Sequence, residues 1–171
     1  MIHLDLIPAA KKIAIFVDVQ NIYYTTREAY GRQFNYRKLW QYVSPQGDIV
    51  SANAYAIHRD DEGQLKFQDA LRNIGFNIKL KPYIQRRDGS AKGDWDVGIA
   101  LDAIEYAKDA DVVVLASGDG DFDLLVDKLC KDYQVKVEVY GVPKFTSTSL
   151  ISSASKYFPI NEKLLLNPLK R

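Results

Sequence analysis

Five runs of mainly apolar residues recur along the chain and predict β-strands. They lie at residues 12–19, 49–57, 77–83, 111–117 and 135–141. The runs at 12–19 and 111–117 are almost continuously apolar, which is typical of central parallel strands covered on both faces. The runs at 49–57 and 135–141 alternate more between apolar and polar residues, which indicates strands nearer the edges of the sheet.

The segments between these runs have the apolar spacing of amphipathic helices. The predicted helices span residues 22–30, 35–43, 62–74, 95–108 and 122–132. In the helix 95–108, the spacing predicts a buried face of Val97, Leu101, Ile104 and either Ala107 or Lys108. Because strands and helices alternate, the predicted fold class is α/β, a three-layer α/β/α sandwich with a mostly parallel central sheet.

Three further segments carry weaker patterns. Residues 84–94 are polar and contain glycine, which predicts a mobile loop. The Ser-rich stretch 146–158 predicts a helix with weak caps. The sequence "INEKLLL" near the end of the chain predicts either a short helix or an interface element, so a homodimer is one expected assembly.

Composition places the chain among globular proteins. It has 171 residues, the size of one domain, and we predict a single domain over 1–171 with a C-terminal tail at 161–171. Cys130 is the only cysteine, which excludes an intrachain disulfide. The net charge of +1 provides no global attraction for a polyanion, so binding to nucleic acid would need local basic patches. The first residues lack a signal-peptide pattern and no apolar run reaches about 20 residues, so we expect a soluble, cytoplasmic protein.

Acidic residues cluster where predicted strands end and helices begin. The three clusters are Asp18 with Asn21 after the first strand, Asp94 and Asp96 at the start of the helix 95–108, and Asp119, Asp121 and Asp123 after the fourth strand. In open α/β sheets, ligands bind beyond the carboxyl ends of the strands. If the first and fourth strands are central neighbours, their clusters meet in one crevice.

Each aspartate has an ordinary structural alternative, since aspartate is a good helix N-cap. Asp18, Asp94 and Asp121 stand where a cap is expected, but three acidic residues in "SGDGDFD" exceed what one cap requires. Carboxylates held together cost stability unless a cation compensates them, and hard oxygen ligands suit Mg²⁺ or Mn²⁺. The sequence has no Cys/His cluster for zinc, no P-loop and no dinucleotide-binding glycine motif.

Three stretches resemble the NYN domain family, particularly its LabA-like branch within the PIN-like nuclease superfold. They are "IAIFVDVQNIYY", "KGDWDVGIALDAIEYA" and "VVVLASGDGDFDLLVDKL", which occur in the family's order, and the resemblance covers about residues 11–160. The resemblance implies a PIN-like fold and metal-dependent hydrolysis of RNA.

The resemblance also implies a set of site residues. The catalytic positions of the family fall on Asp18, Asn21, Asp96, Asp119 and Asp121, of which the four aspartates would bind the metal. Asp123 is a second-rank metal ligand. The family pattern has one residue between Lys-Gly and the aspartate, whereas "KGDWD" has two, so Asp94 is a second-rank alternative to Asp96.

The function implied by the resemblance is Mg²⁺- or Mn²⁺-dependent endonucleolytic cleavage of RNA at the acidic crevice, and single-stranded RNA is the expected partner. A basic rim for RNA is predicted on the third strand and the following loop, at Lys79, Lys81, Arg86, Arg87 and Lys92. Four aromatic residues can either stack on unpaired bases or pack in the core, namely Tyr23, Tyr24, Tyr83 and Trp95. Two alternatives stay open: a catalytically weak module that binds RNA or protein, and a metal-dependent phosphatase for small substrates. Gln20 counts against the phosphatase, because such enzymes use a second aspartate at that position.

Overall fold

The computed structural model describes residues 9–58, 61–82 and 94–168, and the backbone of 84–85 and 91–92. Six strands form one sheet: β1 (Lys12–Asp18), β2 (Asp48–His58), β3 (Asn77–Pro82), β6 (Val112–Ala116), β7 (Lys136–Gly141) and β8 (Lys156–Pro159). Their order is β3-β2-β1-β6-β7-β8, and every neighbouring pair is parallel. Two short strands, β4 (Ile84–Gln85) and β5 (Ala91–Lys92), pair antiparallel outside this sheet.

Helices cover both faces of the sheet, which confirms the predicted three-layer α/β/α fold. They are α1 (Val19–Tyr30), α2 (Tyr36–Val43), α3 (Glu62–Ile74), α4 (Asp96–Ala107), α5 (Asp123–Asp132) and α6 (Thr148–Ser153). Side chains alternate between the faces of a strand. Ile15 and Val17 of β1 therefore pack in the core beneath α1–α3, whereas Ala14 and Phe16 pack beneath α4–α6. In the described part of the chain, no helix is long and apolar enough to cross a membrane.

The centre of the sheet is a topological switch point. β1 and β6 are neighbours, as their continuous apolar character predicted, and Val17 lies opposite Ala116. The chain leaves β1 into α1 on one face and leaves β6 towards α5 on the other. Because the two connections diverge, a crevice opens beyond the carboxyl ends of these strands, where ligands bind in folds of this kind.

The C-terminal part of the chain differs from the sequence prediction. The helix expected over 146–158 is limited to α6, and the chain then adds β8 at the edge of the sheet. Edge pairing prevails here because the Phe158 ring stacks on Tyr140 with centroids 4.7 Å apart, and the Ser155 hydroxyl accepts the backbone N–H of Val137. Leu164 and Leu165 are buried in the chain's own core, which leaves Leu166, 42% exposed, as the free leucine of "LLL".

The predicted loop at 84–94 contains regular pairing. Ile84 lies opposite Lys92 and Gln85 opposite Ala91, so the backbone makes a short antiparallel ladder rather than an irregular loop. Residues 86–90 and 93 lie outside the described residues.

The predicted buried face of α4 is wrong for its first half. Val97 and Leu101 are 70% and 64% exposed, whereas Ile99 and Ala103 are fully buried against the sheet. The helix is apolar on most sides, so periodicity does not distinguish the face that packs. Ile99 and Ala103 are one helical turn apart and form that face together.

We expect Ile99→Ala to destabilise the protein by about 2–5 kcal/mol, because it removes a fully buried side chain and leaves a cavity. Leu101→Ala, two residues further along the helix and on its exposed side, should change the free energy of unfolding by no more than about 0.5 kcal/mol. Urea denaturation of the two variants measures both values. Equal destabilisation by the two substitutions, or a larger effect of Leu101→Ala, would instead support the buried face predicted from periodicity.

Candidate metal centre

An open crevice of about 250 Å³ lies at the carboxyl ends of β1 and β6. It is lined by Asp18, Gln20, Asn21, Tyr24, Thr25, Asp94, Asp96 and Asp119. The lining draws on three separate stretches of the chain, so aspartates from all three acidic clusters meet in one place.

Asp18 is both a helix cap and part of the crevice wall. Its carboxylate accepts the backbone N–H of Asn21 at 3.4 Å, which caps α1, and the Ser117 hydroxyl at 3.1 Å. The residue is 7% exposed, and this burial raises the pKa of Asp18 to about 6 despite the two hydrogen bonds. The negative charges of Asp119 and Asp94 add to the effect. The cap and the site residue, alternatives in the sequence, are therefore the same side chain.

Asn21 and Ser117 join the two strand ends. The Asn21 side-chain oxygen accepts the backbone N–H of Gly118 at 2.9 Å, which ties α1 to the turn after β6. The Ser117 hydroxyl donates to Asp18 and accepts the backbone N–H of Asp119 at 3.2 Å. Sequence reasoning missed Ser117. The signal available was a small hydroxyl residue directly after an apolar strand and next to a Gly-Asp pair.

The turn after β6 depends on close backbone approach. A Cβ atom at Gly118 would lie 2.4 Å from the carbonyl oxygen of Phe145, so a larger residue would displace one of the two segments. The Asp119 side chain accepts the backbone N–H of Asp121 at 2.9 Å and caps the 3-10 turn Gly120–Phe122. The capping role expected for Asp121 is wrong, since α5 begins at Asp123 without a side-chain cap.

Among the described residues, Asp96, Asp119 and Asp121 form a group of three neighbouring carboxylates. One carboxylate oxygen from each lies within 4.8 Å of the others. Oxygens bound to Mg²⁺ at about 2.1 Å can be up to about 4.2 Å apart, so small side-chain rotations would bring all three onto one ion. Partial burial raises the pKa of Asp96 to about 7, and the hydrogen bond and charge of Asp119 act in the same direction, followed by Asp18 and Asp94. The donor set fits a hard divalent cation, because only a cation or a proton relieves this repulsion.

The two second-rank aspartates occupy different positions. Asp94 is exposed, lines the crevice and accepts the backbone N–H of Asp96 at 3.2 Å. Asp123 is half-buried in the first turn of α5 and is not part of the crevice lining. Asp96 alone of the pair Asp94 and Asp96 belongs to the three-carboxylate group.

Lys79 is committed to a structural ion pair rather than to the rim. Its ammonium group pairs with Asp102, which also accepts the Tyr55 hydroxyl at 2.7 Å. Asp102 is half-buried and contacts side chains of β2 and β3 from its position on α4. The Asp102 carboxylate on α4 is bound by Lys79 of β3 and Tyr55 of β2, so these contacts fix α4 against the sheet.

Lys81 and Trp95 lie beside the start of α4. The Lys81 ammonium donates to the carbonyl oxygen of Asp94 at 3.2 Å and lies 4.4 Å from the centre of the Trp95 ring. The Trp95 indole N–H donates to the carbonyl oxygen of Ala56 at 2.8 Å. Trp95 is thus part of the packed structure. The Lys81 side chain contacts Asp94 and lies at the described part of the rim. Arg86, Arg87 and Tyr83 lie outside the described residues, as does the side chain of Lys92.

Without metal, the protein should lose stability as the pH rises from about 4 to about 8. The folded-state pKa values of Asp18 and Asp96, about 6 and about 7, exceed the ordinary value of 3.8. The folded chain therefore binds more protons than the unfolded chain in this range, and the stabilisation present below pH 4 disappears as these groups ionise. The half-buried Glu138 acts in the same direction, since burial raises its pKa.

Urea denaturation with EDTA at pH 5 and pH 8 measures this loss. Mn²⁺ should stabilise the protein more at pH 8 than at pH 5, because it binds the ionised carboxylates. A metal-free stability that is flat or rises over this range would contradict the expectation.

Comparison with known proteins identifies the family of the chain. The model of the NYN domain matches residues 12–161. The chain is 26% identical over 159 residues to the low amplitude and bright protein LabA of Synechococcus elongatus, covering 88% of this chain and 84% of that protein. A crystal structure of a protein of unknown function from Vibrio parahaemolyticus is 55% identical, with a TM-score of 0.89 over 94% of this chain and 99% of that one.

Proposed function

The chain belongs to the NYN domain family, and from that premise we propose that it is a divalent-metal-dependent endoribonuclease. The family is related to the PIN nucleases and generally binds RNA, which indicates a nuclease-like function for this chain. The observation that carries the proposal is the group formed by Asp96, Asp119 and Asp121, with ligand oxygens within 4.8 Å of one another beside the buried Asp18. A shared carboxylate site of this kind has the donor atoms for Mg²⁺ or Mn²⁺.

Each aspartate has a distinct part in the proposed site. Asp96, Asp119 and Asp121 hold the ion directly. Asp18 would add negative charge beside the ion from a position fixed by its hydrogen bonds with Asn21 and Ser117. When bound, the ion supplies Lewis-acid stabilisation of the phosphate and lowers the pKa of the attacking water.

The neutral and basic residues position the RNA. The Asn21 oxygen is used by Gly118, so its amide N–H groups are the part left to donate to a phosphate oxygen. Lys81 stands next to Asp94 and offsets the negative charge of the crevice, which otherwise repels a polyanion. We assign Arg86, Arg87 and Lys92 to the same rim from their place in the sequence after β3.

Cleavage of a labelled single-stranded RNA by the metal-free protein, before and after addition of Mn²⁺ or Mg²⁺, tests the proposal. We expect internal cleavage that requires the metal and stops with EDTA. RNA binding without cleavage in either metal would favour the alternative binding module. Release of phosphate from nucleotides, with intact RNA, would favour a phosphatase instead.

The site also bears on domain organisation. Its residues run from Asp18 to Asp121, so we propose that 1–171 acts as one domain that cannot be divided within this stretch. A homodimer and a cytoplasmic location stay predictions. Mass measurement in solution tests the first.

A further inference from the structure

The aromatic residues named as possible base-stacking groups have different surroundings in the structure. Trp95 is held by its hydrogen bond to Ala56 and by its edge contact with Tyr55. Tyr23 is 45% exposed, and its hydroxyl accepts a hydrogen bond from Arg27 at 2.9 Å. Tyr24 is 55% exposed, more than Tyr23, and is the aromatic residue among those that line the acidic crevice.

We infer that the Tyr24 ring is a stacking site for an unpaired nucleobase next to the scissile phosphate. The inference rests on the proposed function, and it restricts the substrate to RNA that is single-stranded at the point of cleavage.

The orientation of Tyr24 is fixed from one side. Its ring meets Tyr23 edge to face, with centroids 5.5 Å apart and planes at 78°. Tyr23 is in turn held by Arg27, one helical turn further along α1. Within the described residues the Tyr24 hydroxyl has no hydrogen bond and its only ring contact is Tyr23. The chain therefore holds a large apolar ring in solvent without using it in the core, which leaves a flat surface for a ligand.

The place of the ring matches that of a base. Tyr24 lines the same crevice as Asp18, Asp96 and Asp119. When a phosphate of the RNA lies at the carboxylates, the base of an adjoining nucleotide lies beside the Tyr24 ring. Stacking of bases on aromatic side chains tolerates any sequence, because every base has a flat face. In a duplex the bases are already stacked and paired, so the ring gains nothing there.

Equilibrium binding to a fluorescent single-stranded RNA, measured by anisotropy, tests the inference. Ca²⁺ is used as the metal, and gel electrophoresis shows that the RNA stays intact. We expect Tyr24→Leu to weaken binding about 10-fold, within the range typical of one stacked base. Tyr24→Phe, which keeps the ring, should bind like the wild type. Tyr42→Leu is the matched control, since Tyr42 is an exposed tyrosine of α2 outside the crevice lining.

Two further RNA ligands separate stacking from other causes. The loss caused by Tyr24→Leu should vanish on an RNA whose bases are replaced by abasic sites, and on a duplex of the same sequence. The inference is overturned if Tyr24→Leu binds like Tyr42→Leu, if Tyr24→Phe loses as much as Tyr24→Leu, or if abasic RNA shows the same loss. Each variant's unfolding midpoint is measured, and a Tyr24→Leu protein that is unfolded is replaced by Tyr24→Ser in the same comparison.

The outcomes separate this inference from the proposed function. RNA cleavage with no dependence on Tyr24 overturns the inference alone. Tyr24-dependent binding of unpaired RNA without cleavage in Mn²⁺ supports base stacking at Tyr24 and contradicts the endonuclease. No binding of unpaired RNA by the wild type overturns both.

Discussion

Asp119→Asn is expected to lower the rate of RNA cleavage by about 10³-fold, which corresponds to a loss of about 4 kcal/mol of transition-state stabilisation. Asp119 is shared by the crevice lining and the three-carboxylate group, so its negative charge serves both. Asparagine keeps the side-chain oxygen that accepts the Asp121 N–H, so the turn after β6 should persist. The fall in rate then reports the lost charge and not a lost fold.

Rates of RNA cleavage at several Mn²⁺ concentrations measure this effect. Asp69→Asn removes one charge from the exposed face of α3 and should leave the rate unchanged within about 2-fold. Asp123→Asn should also stay within a few-fold, since Asp123 belongs neither to the crevice lining nor to the three-carboxylate group. A loss at Asp123 as large as that at Asp119 would move the metal site towards α5 and contradict the assignment.

Asp18→Asn is expected to stabilise the metal-free protein by about 2–3 kcal/mol at pH 8 while it lowers cleavage. The folded protein holds this carboxylate in a buried position that raises its pKa to about 6, and keeping it ionised above that pH costs free energy. Asparagine removes the charge and can still accept the Asn21 N–H that caps α1. We therefore expect this substitution to change activity and stability in opposite directions.

The pH dependence of the free energy of unfolding shows whether the charge of Asp18 causes this difference in stability. At pH 5 the wild-type carboxyl is mostly protonated, so the gain from Asp18→Asn should be much smaller there than at pH 8. Saturating Mn²⁺ should stabilise the wild type more than the variant, which narrows the difference in stability between them at pH 8. A variant that is less stable than the wild type by the same amount at both pH values would show that Asp18 serves packing and capping alone.

The central half of the fold could be predicted from sequence because burial on both faces leaves a clear signal. The continuous apolar runs of β1 and β6 identified the centre of the sheet, and the aspartates at their ends indicated the crevice. The rotation of α4 could not be predicted in the same way. Val97 and Leu101 are as apolar as Ile99, and only the packed sheet distinguishes them.

Side-chain roles within the site were less predictable than its location. The sequence assigned the cap after β6 to Asp121, whereas hydrogen-bond geometry gives it to Asp119. Asp119 and Asp121 are two residues apart, and which of them is the cap depends on whether a 3-10 turn precedes α5. The composition of the segment does not indicate that turn. β8 was missed for a related reason: its four residues follow a Ser-rich helix and are recognisable as a strand only when β7 is beside them.

The pairing of β1 with β6 also delays completion of the site while the chain is being synthesised. The hydrogen bond between Asp18 and Ser117 joins residues that are 99 positions apart. At a synthesis rate of about 5–20 residues per second, Asp18 leaves the ribosome roughly 5–20 s before the turn that completes its site. During that interval β2 and β3 can add to one side of β1, but its other edge stays open. Until then the nascent polypeptide carries Asp18 without its Ser117 partner, together with an apolar strand edge that needs protection from association with other chains.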